Sequence, residues 1–246
     1  MLLSRERVFY RGWLGQAMQP RRVGAAMVYC APRGALRIRR GGAWQSVAAA
    51  AVPPYAPHEL ATSDGQIIAA CLEPETLCPR ALAAFCEAVN AGLHDPAPTL
   101  RGAAHRLGPE DMATPARFDA RALGHALPAR VPDPRIARIL DLIEADPAAG
   151  PLTAEDCAAR IGLSASRFLH LFKEETGVSF RNMRMWKRAR RFLEHAAQET
   201  SLTEVALDLG YPDSSHFSHS IRKMYGLMPR AIRQGSRGLR VIGGMG

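Results

Sequence analysis

Several kinds of protein are excluded by what this chain lacks. No run of eighteen apolar residues occurs anywhere in its 246 residues, so no stretch reads as a membrane-spanning helix. The opening Met1-Leu2-Leu3-Ser4-Arg5-Glu6-Arg7 brings charge too early for a secretory leader. Five cysteines, at 30, 71, 78, 86 and 157, are odd in number and form no Cys-x-x-Cys pair. Small buried thiols in a reduced, cytoplasmic protein are the expectation. A nucleophile elbow, P-loop, dinucleotide fingerprint and paired carboxylates are all missing, as is the clustered N-terminal cysteine site that alkyl-accepting chemistry needs. No catalytic residue and no cofactor are therefore expected, and the chain does not read as an enzyme.

The formal net charge is +9, but it is spread along the chain. Residues 1–130 hold fifteen basic and ten acidic side chains, and residues 131–246 hold seventeen and thirteen. Global charge thus favours a nucleic-acid partner only weakly, and local pattern has to decide.

That pattern is a repeat between Leu152 and Arg230. Ala158, Ile161, Gly162, Ser166, Phe168, Phe172, Lys173 and Gly177 correspond to Ala206, Leu209, Gly210, Ser215, Phe217, Ile221, Arg222 and Gly226. The offset is 48 as far as the paired Gly162 and Gly210 and 49 beyond them. Each copy reads as a short capped helix, a glycine turn and a longer helix. Thr153 with Asp156 and Ser201 with Glu204 are capping-box pairs, and Ser164 and Asp213 cap the longer helices. Apolar stripes follow at helical spacing: Phe168, Leu171 and Phe172, then Phe217, Ile221 and Met224. A doubled helix-turn-helix is a device for placing helices in a DNA major groove.

Between the copies, Phe180 to about Ala197 reads as one helix without Gly or Pro. At about 1.5 Å per residue it spans roughly 27 Å, near the ~34 Å between successive major-groove faces. It carries Arg181, Arg184, Lys187, Arg188, Arg190 and Arg191 before the first acid, Glu194. A solvated face is the plainer reading of such a run. Lying between two helix-turn-helix units, Arg181, Arg184, Lys187 and Arg188 are expected to face phosphate.

Residues 131–235 resemble the DNA-binding domain of the AraC/XylS family of bacterial transcription regulators. Ala158-Ala159-Arg160-Ile161-Gly162-Leu163-Ser164, Phe172-Lys173-Glu174-Glu175-Thr176-Gly177, Ala206-Leu207-Asp208-Leu209-Gly210-Tyr211 and Gly226-Leu227-Met228-Pro229 carry the likeness. By position in the motif, Ser166, Arg167, Leu169 and His170 face bases in the first unit, and Ser214, Ser215, Ser218 and His219 in the second. Here the chain departs from the family, whose members often carry Arg or Gln on these faces. Arg167 alone offers a fork for guanine, with a phosphate contact as the alternative, so DNA shape and water are expected to share in specificity.

Residues 1–75 read as β structure: Ala25 to Cys30 is an apolar run, Leu36 to Arg39 alternates, Trp44 to Val52 returns, and Gln66 to Leu72 follows an Asp64-Gly65 turn. The order suggests a small barrel and resembles the cupin-like effector domain of short AraC-family proteins, including Val52 to His58 and the closing Leu72-Glu73-Pro74. A barrel interior can hold a small ligand, with Met27, Tyr29, Ile38, Trp44, Tyr55 and His58 as candidates that are equally core residues. Metal cupins need converging histidines. Arg21 and Arg22 fall where those would start, leaving His58 alone, so no metal is expected. Arg37 and Arg39 read as a solvated strand face rather than an anion site.

Pro79 to Leu93 is an amphipathic helix that packs on its own barrel or, as the resemblance implies, pairs two protomers into a homodimer. Asp141, Glu144 and Asp146 read as a helix's solvent side. The resulting fold class is α+β in two domains: a small N-terminal β-barrel with flanking helices, and an all-α C-terminal domain with two helix-turn-helix motifs joined by a long helix. The boundaries are 1–95 for effector binding and dimerisation, 96–130 for a helix and linker, 131–236 for DNA binding, and 237–246 for a flexible tail. The function expected is sequence-specific, effector-controlled transcription regulation, an activator by resemblance. Its partners would be double-stranded DNA and a small organic effector, with RNA polymerase as a further candidate and no membrane. A metal-dependent cupin enzyme fused to a DNA-binding domain is the alternative.

Overall fold

The computed structural model of the chain describes residues 1–14, 19–145, 152–196, 198 and 200–236. The Gly-rich tail and Asp146 lie outside them. The N-terminal half is built on a five-stranded antiparallel sheet of β1 (Leu2–Leu3), β2 (Arg7–Trp13), β3 (Ala26–Cys30), β6 (Ala49–Val52) and β8 (Gln66–Leu72), in the order β1-β2-β8-β3-β6. A second sheet of three strands, β4 (Leu36–Arg39), β5 (Gln45–Val47) and β7 (Glu59–Ala61), has the order β5-β4-β7. The two sheets do not close into the expected barrel. The Trp44–Val52 stretch breaks at Ala48 into β5 and β6, which join different sheets.

The central strands β3 and β8 are apolar on both faces because both faces are covered. Successive side chains alternate. Phe9, Val28, Cys30, Ala51, Ile68 and Ala70 face α1 (Pro79–Asn90), α2 (Ala97–Arg106) and α3 (Pro115–Leu123). The intervening Val8, Met27, Tyr29, Ala50, Val52, Ile67, Ala69 and Cys71 share a core with Leu36, Ile38 and Leu60 of the smaller sheet and with the C-terminal helices. Segment 96–130 therefore folds largely onto the sheet. The stripe of α1, made of Leu82, Phe85, Cys86 and Val89, is buried in the same layer, so it does not offer the dimer surface that the resemblance implied. Arg7, also buried, is clamped to α3: its Nε and Nη2 donate to Asp119 Oδ1 and Oδ2 at 2.7 and 2.8 Å.

The helical half comprises α4 (Pro134–Ala145), α5 (Ala154–Arg160), α6 (Ala165–Thr176), α7 (Phe180–His195), α8 (Leu202–Asp208), α9 (Ser214–Tyr225) and α10 (Pro229–Ser236). The first unit has its own core, in which Phe168, Phe172 and Phe180 meet edge to face at 5.1–5.7 Å. The second has none of its own. Trp186, Phe192, Val205, Phe217, Ile221 and Met224 belong to one continuous cluster with Val8, Tyr29 and Cys71 of the sheet. A sheet that does not close must still cover its inner face, and the second helix-turn-helix does this.

Ions lock this junction. Glu73, fully buried just after β8, accepts the Trp186 indole N–H at 3.0 Å, lies 3.0 Å from Lys187 Nζ and 2.8 Å from Arg190 Nε. Lys187 Nζ also reaches Glu75 at 2.7 Å and Glu144 at 3.1 Å, and Arg190 Nη2 donates to the Ser4 carbonyl. Two expectations are overturned here. Lys187, only 3% exposed, has no phosphate-facing position, and Glu144 turns inward to meet it rather than lying on a solvent side.

Burial would lower the Lys187 pKa, yet the three carboxylates outweigh it and raise it. Burial would raise that of Glu73, yet Lys187 and Arg190 hold it below the ordinary carboxylate range. Glu75 goes the other way: burial, reinforced by the charge on Glu73, pushes its carboxyl up. Removing one member of such a cluster leaves its partners buried and uncompensated. Lys187→Met should therefore destabilise the full chain by about 3–5 kcal/mol in urea unfolding, and adding Glu73→Gln should restore part of the loss. A Lys187→Met chain as stable as its parent would show that the cluster does not hold the halves together.

Candidate nucleic-acid interface and adjoining cavity

Both helix-turn-helix units are built by local capping. Thr153 Oγ1 accepts from Asp156 N at 3.0 Å, and Ser201 Oγ from Glu204 N at 3.0 Å, each within a full capping box. Gly162 and Gly210 turn the chain at φ of 68° and 69°, a region other residues avoid. Ser164 then caps α6, and Asp213 caps α9 by accepting from the Ser215 and His216 amides, both at 2.8 Å.

These caps fix which side of each long helix meets solvent. On α6, Phe168 and Phe172 point inward, leaving Ser166, Arg167, Leu169 and His170 exposed. On α9, Phe217 and Ile221 point inward; Ser214, Ser215 and His219 are exposed, and Ser218 is half-buried. His216 was not among the expected residues, yet it is exposed on the first turn of α9, its Nδ1 2.8 Å from Asp213 Oδ2. Its place three residues after a capping aspartate was the available signal. The Asp213 carboxyl is held below its usual range by the His216 backbone amide and then its ring.

The basic run on α7 is not a uniform stripe. Arg181 is exposed. Arg184 donates to the Leu152 carbonyl at 2.6 Å and lies over the Phe180 ring, and Arg188 lies over Tyr211. Arg191 donates to the Glu144 carbonyl at 2.7 Å, while Lys187 and Arg190 are buried in the ion cluster.

Between the inner face of the five-stranded sheet and the second unit lies a cavity of about 780 Å³. Of the six candidate effector residues, Met27 and Tyr29 line it. Ile38 is fully buried in the core, and Trp44 lies under the guanidinium groups of Arg37 and Arg39 on the smaller sheet. Tyr55, at an unusual φ of 62°, crosses instead to α7, where its hydroxyl donates to the Asn182 carbonyl. His58 stands behind the wall: its Nδ1 lies 2.9 Å from the Ala56 carbonyl, so that nitrogen carries the proton, and Nε2 accepts from the Tyr29 hydroxyl at 3.0 Å. Neither ring nitrogen is left to ligate a metal.

Tyr10, Arg21, Trp186 and Tyr225 are among the lining residues not anticipated. Arg21 is buried and lies 5.4 Å from the Tyr29 ring centroid. Burial lowers its pKa, and burial pushes the Tyr10 and Tyr29 hydroxyls up to about 12. The cavity is thus largely apolar, with the Arg21 guanidinium and the phenols of Tyr10, Tyr29 and Tyr225 among its polar features.

A family profile described as a helix-turn-helix domain matches residues 157–235. Over 106 residues, 42% of this chain, the sequence is 33% identical to the HTH-type transcriptional activator RhaS of Klebsiella pneumoniae. Residues 157–235 of the helical half thus belong to a helix-turn-helix domain. Over 91 residues it is also 32% identical to the bifunctional transcriptional activator/DNA repair enzyme Ada of Escherichia coli. These matches cover 37% and 26% of the relatives' lengths, so the chain spans little more than a third of the curated relatives it matches. Outside these matched residues the likeness is one of fold. ToxT from Vibrio cholerae superposes over 96% of this chain and all of its own with a TM-score of 0.58, at 11% identity. ToxT bound to an unsaturated fatty acid does so over 96% of this chain and 97% of its own, with a TM-score of 0.54 and 12% identity.

Burial, then the charge of Arg21, lower the His58 pKa to about 3. The unfolded chain takes up this proton near pH 6.5 and the folded chain does not, so stability is lost as pH falls below 6.5. Unfolding free energy should drop by about 2 kcal/mol between pH 7 and pH 5, and His58→Gln should remove that part of the slope. An unchanged pH dependence in His58→Gln would contradict the neutral, buried imidazole.

Proposed function

We propose that this chain is a DNA-binding transcription regulator that reads bases with α6 and α9 and responds to a small molecule held in the cavity. The observation that carries the reading is the pair of separately capped units, each burying one apolar stripe and exposing a short, mostly polar face. A helix whose N-terminal side chains are polar and exposed, set by a tight turn against a shorter helix, suits the major groove. The sequences of RhaS and Ada, both named as transcriptional activators, support the same reading.

The cavity supports the effector half of the proposal. Its apolar walls suit a hydrocarbon, and the Arg21 guanidinium suits an anionic head. A carboxylate with an apolar tail meets both demands, and the structural neighbour ToxT has been captured with an unsaturated fatty acid. Phosphate contacts fall to Arg181 and the half-buried Arg184 and Arg188, with Lys187 and Arg190 withdrawn into the junction. A homodimer through residues 79–93 would have to use the outer side of α1.

The test is a binding-site selection with the full chain beside two double variants. Ser166→Ala/His170→Ala should relax base preference in one half of the selected site, and Ser215→Ala/His219→Ala in the other. Each lost contact should be worth about 1 kcal/mol, the low end for base contacts. If both variants blur the same base pairs, or neither changes any, one unit is not in the groove and the two-groove reading is wrong.

A further inference from the structure

The two helix-turn-helix units are not equally placed with respect to the cavity. α7, α9, α10 and the turn between α9 and α10 contribute Trp186, Leu193, Tyr225, Leu227 and Ile232 to its wall. Among the described residues, α4, α5 and α6 contribute none. The segment that brings Arg21 to the cavity also grips the end of the second recognition helix. Gln19 N donates to the Gly226 carbonyl at 3.2 Å and Arg22 N to the Lys223 carbonyl at 3.0 Å. Arg222 Nε donates to Gln19 Oε1 at 2.9 Å. The approach is so close that a Cβ on Gly226 would lie 2.5 Å from the Gln19 carbonyl oxygen.

The first unit shares no apolar core with the cavity. Its core contains only its own helices and the start of α7, with Tyr55 the one N-terminal hydrophobic side chain packed against it among the described residues. Ion pairs also tie it to the N-terminal half: Arg5 to Asp141, Arg130 to Glu175, and Glu144 in the buried cluster. Close-packed cores pass small displacements on, because they do not deform smoothly. Whatever fills the cavity therefore acts on a core that includes α8 and α9 and excludes α5 and α6.

We propose that the contents of the cavity are read by the second helix-turn-helix alone. A ligand between the sheet and the α9–α10 turn sets the position and rigidity of α9, while α6 keeps its base set unchanged. The regulator then works by retuning one half of its site and the spacing to the other, not by switching both units together. This rests on the effector reading above, although the coupling itself follows from the shared core.

Hydrogen–deuterium exchange on the full chain tests it in two arms, with sodium palmitoleate as the probe in one. The other uses Ala69→Phe, which fills the cavity from β8, with Cys71→Leu as a milder filling from the same strand should the first not fold. Amides of α8, α9 and α10 should slow by at least about tenfold, while those of α4, α5 and α6 stay within about twofold of the parent. Equal slowing in both units, or no change in either arm, would overturn the proposal. If dialysis shows that palmitoleate is not retained while the filled variants still slow only α8–α10, the anionic-ligand reading fails and this inference stands. If palmitoleate is retained and slows both units alike, the effector reading stands and this inference fails.

Discussion

The architecture depends on a buried ion cluster in which Glu73 faces Trp186, Lys187 and Arg190 of α7, with Glu75 and Glu144 closing around Lys187. Buried charges are tolerated only when each is matched, and replacing such a group by well-packed apolar residues often does not weaken a protein. Specific registration is what the cluster supplies. It couples the end of β8 to the middle of α7 and brings α4 in through Glu144. Two cations face three carboxylates there, and burial with the charge of Glu73 pushes the Glu75 carboxyl up.

From that registration the rest follows. With α7 held against the sheet, the inner faces of β2, β3 and β8 are covered by α7, α9 and α10, and the second helix-turn-helix becomes part of the N-terminal core. The coverage is incomplete, and the gap is the 780 Å³ cavity. The outer face is sealed by α1, α2 and α3, pinned through the buried Arg7–Asp119 pair. The molecule is thus a three-layer body to which the first helix-turn-helix is added as a separately cored unit. DNA-binding helices and cavity are parts of one packing problem, and the proposed regulation uses that.

The helical half was legible because its signals are local. Capping pairs three residues apart, glycines at the turns and aromatic stripes at helical spacing each act over a few positions, and they place α5, α6, α8 and α9 as the sequence suggests. Strands β3, β4 and β8 were legible from their apolar runs. What was not legible depends on partners far apart in sequence. Lys187 looked like a phosphate ligand because Glu73 lies more than a hundred residues upstream. Strand β2 was obscured because its first residue is an arginine, whose buried partner Asp119 is 112 positions away. A barrel was expected because strand count and spacing do not reveal whether a sheet closes on itself or borrows a helical cover. Of the candidate effector residues, Met27 and Tyr29 reach the cavity because they share the inner face of β3, whereas Arg21, which lends the cavity its charge, read only as a missing histidine.

The central claim is that the N-terminal sheet and the second helix-turn-helix form one cooperative body while the first unit opens by itself. Native-state thiol labelling measures this directly, because buried cysteines react only when their surroundings open. Three single-thiol chains serve, retaining Cys71 in the sheet, Cys157 in the first unit, or an Ala206→Cys thiol in the second. Cys71 and the thiol at 206 should open with the same free energy and the same urea dependence, and Cys157 with different values of both. If the thiol at 206 opens together with Cys157 and apart from Cys71, the helical half is a domain of its own and the shared-core account is contradicted.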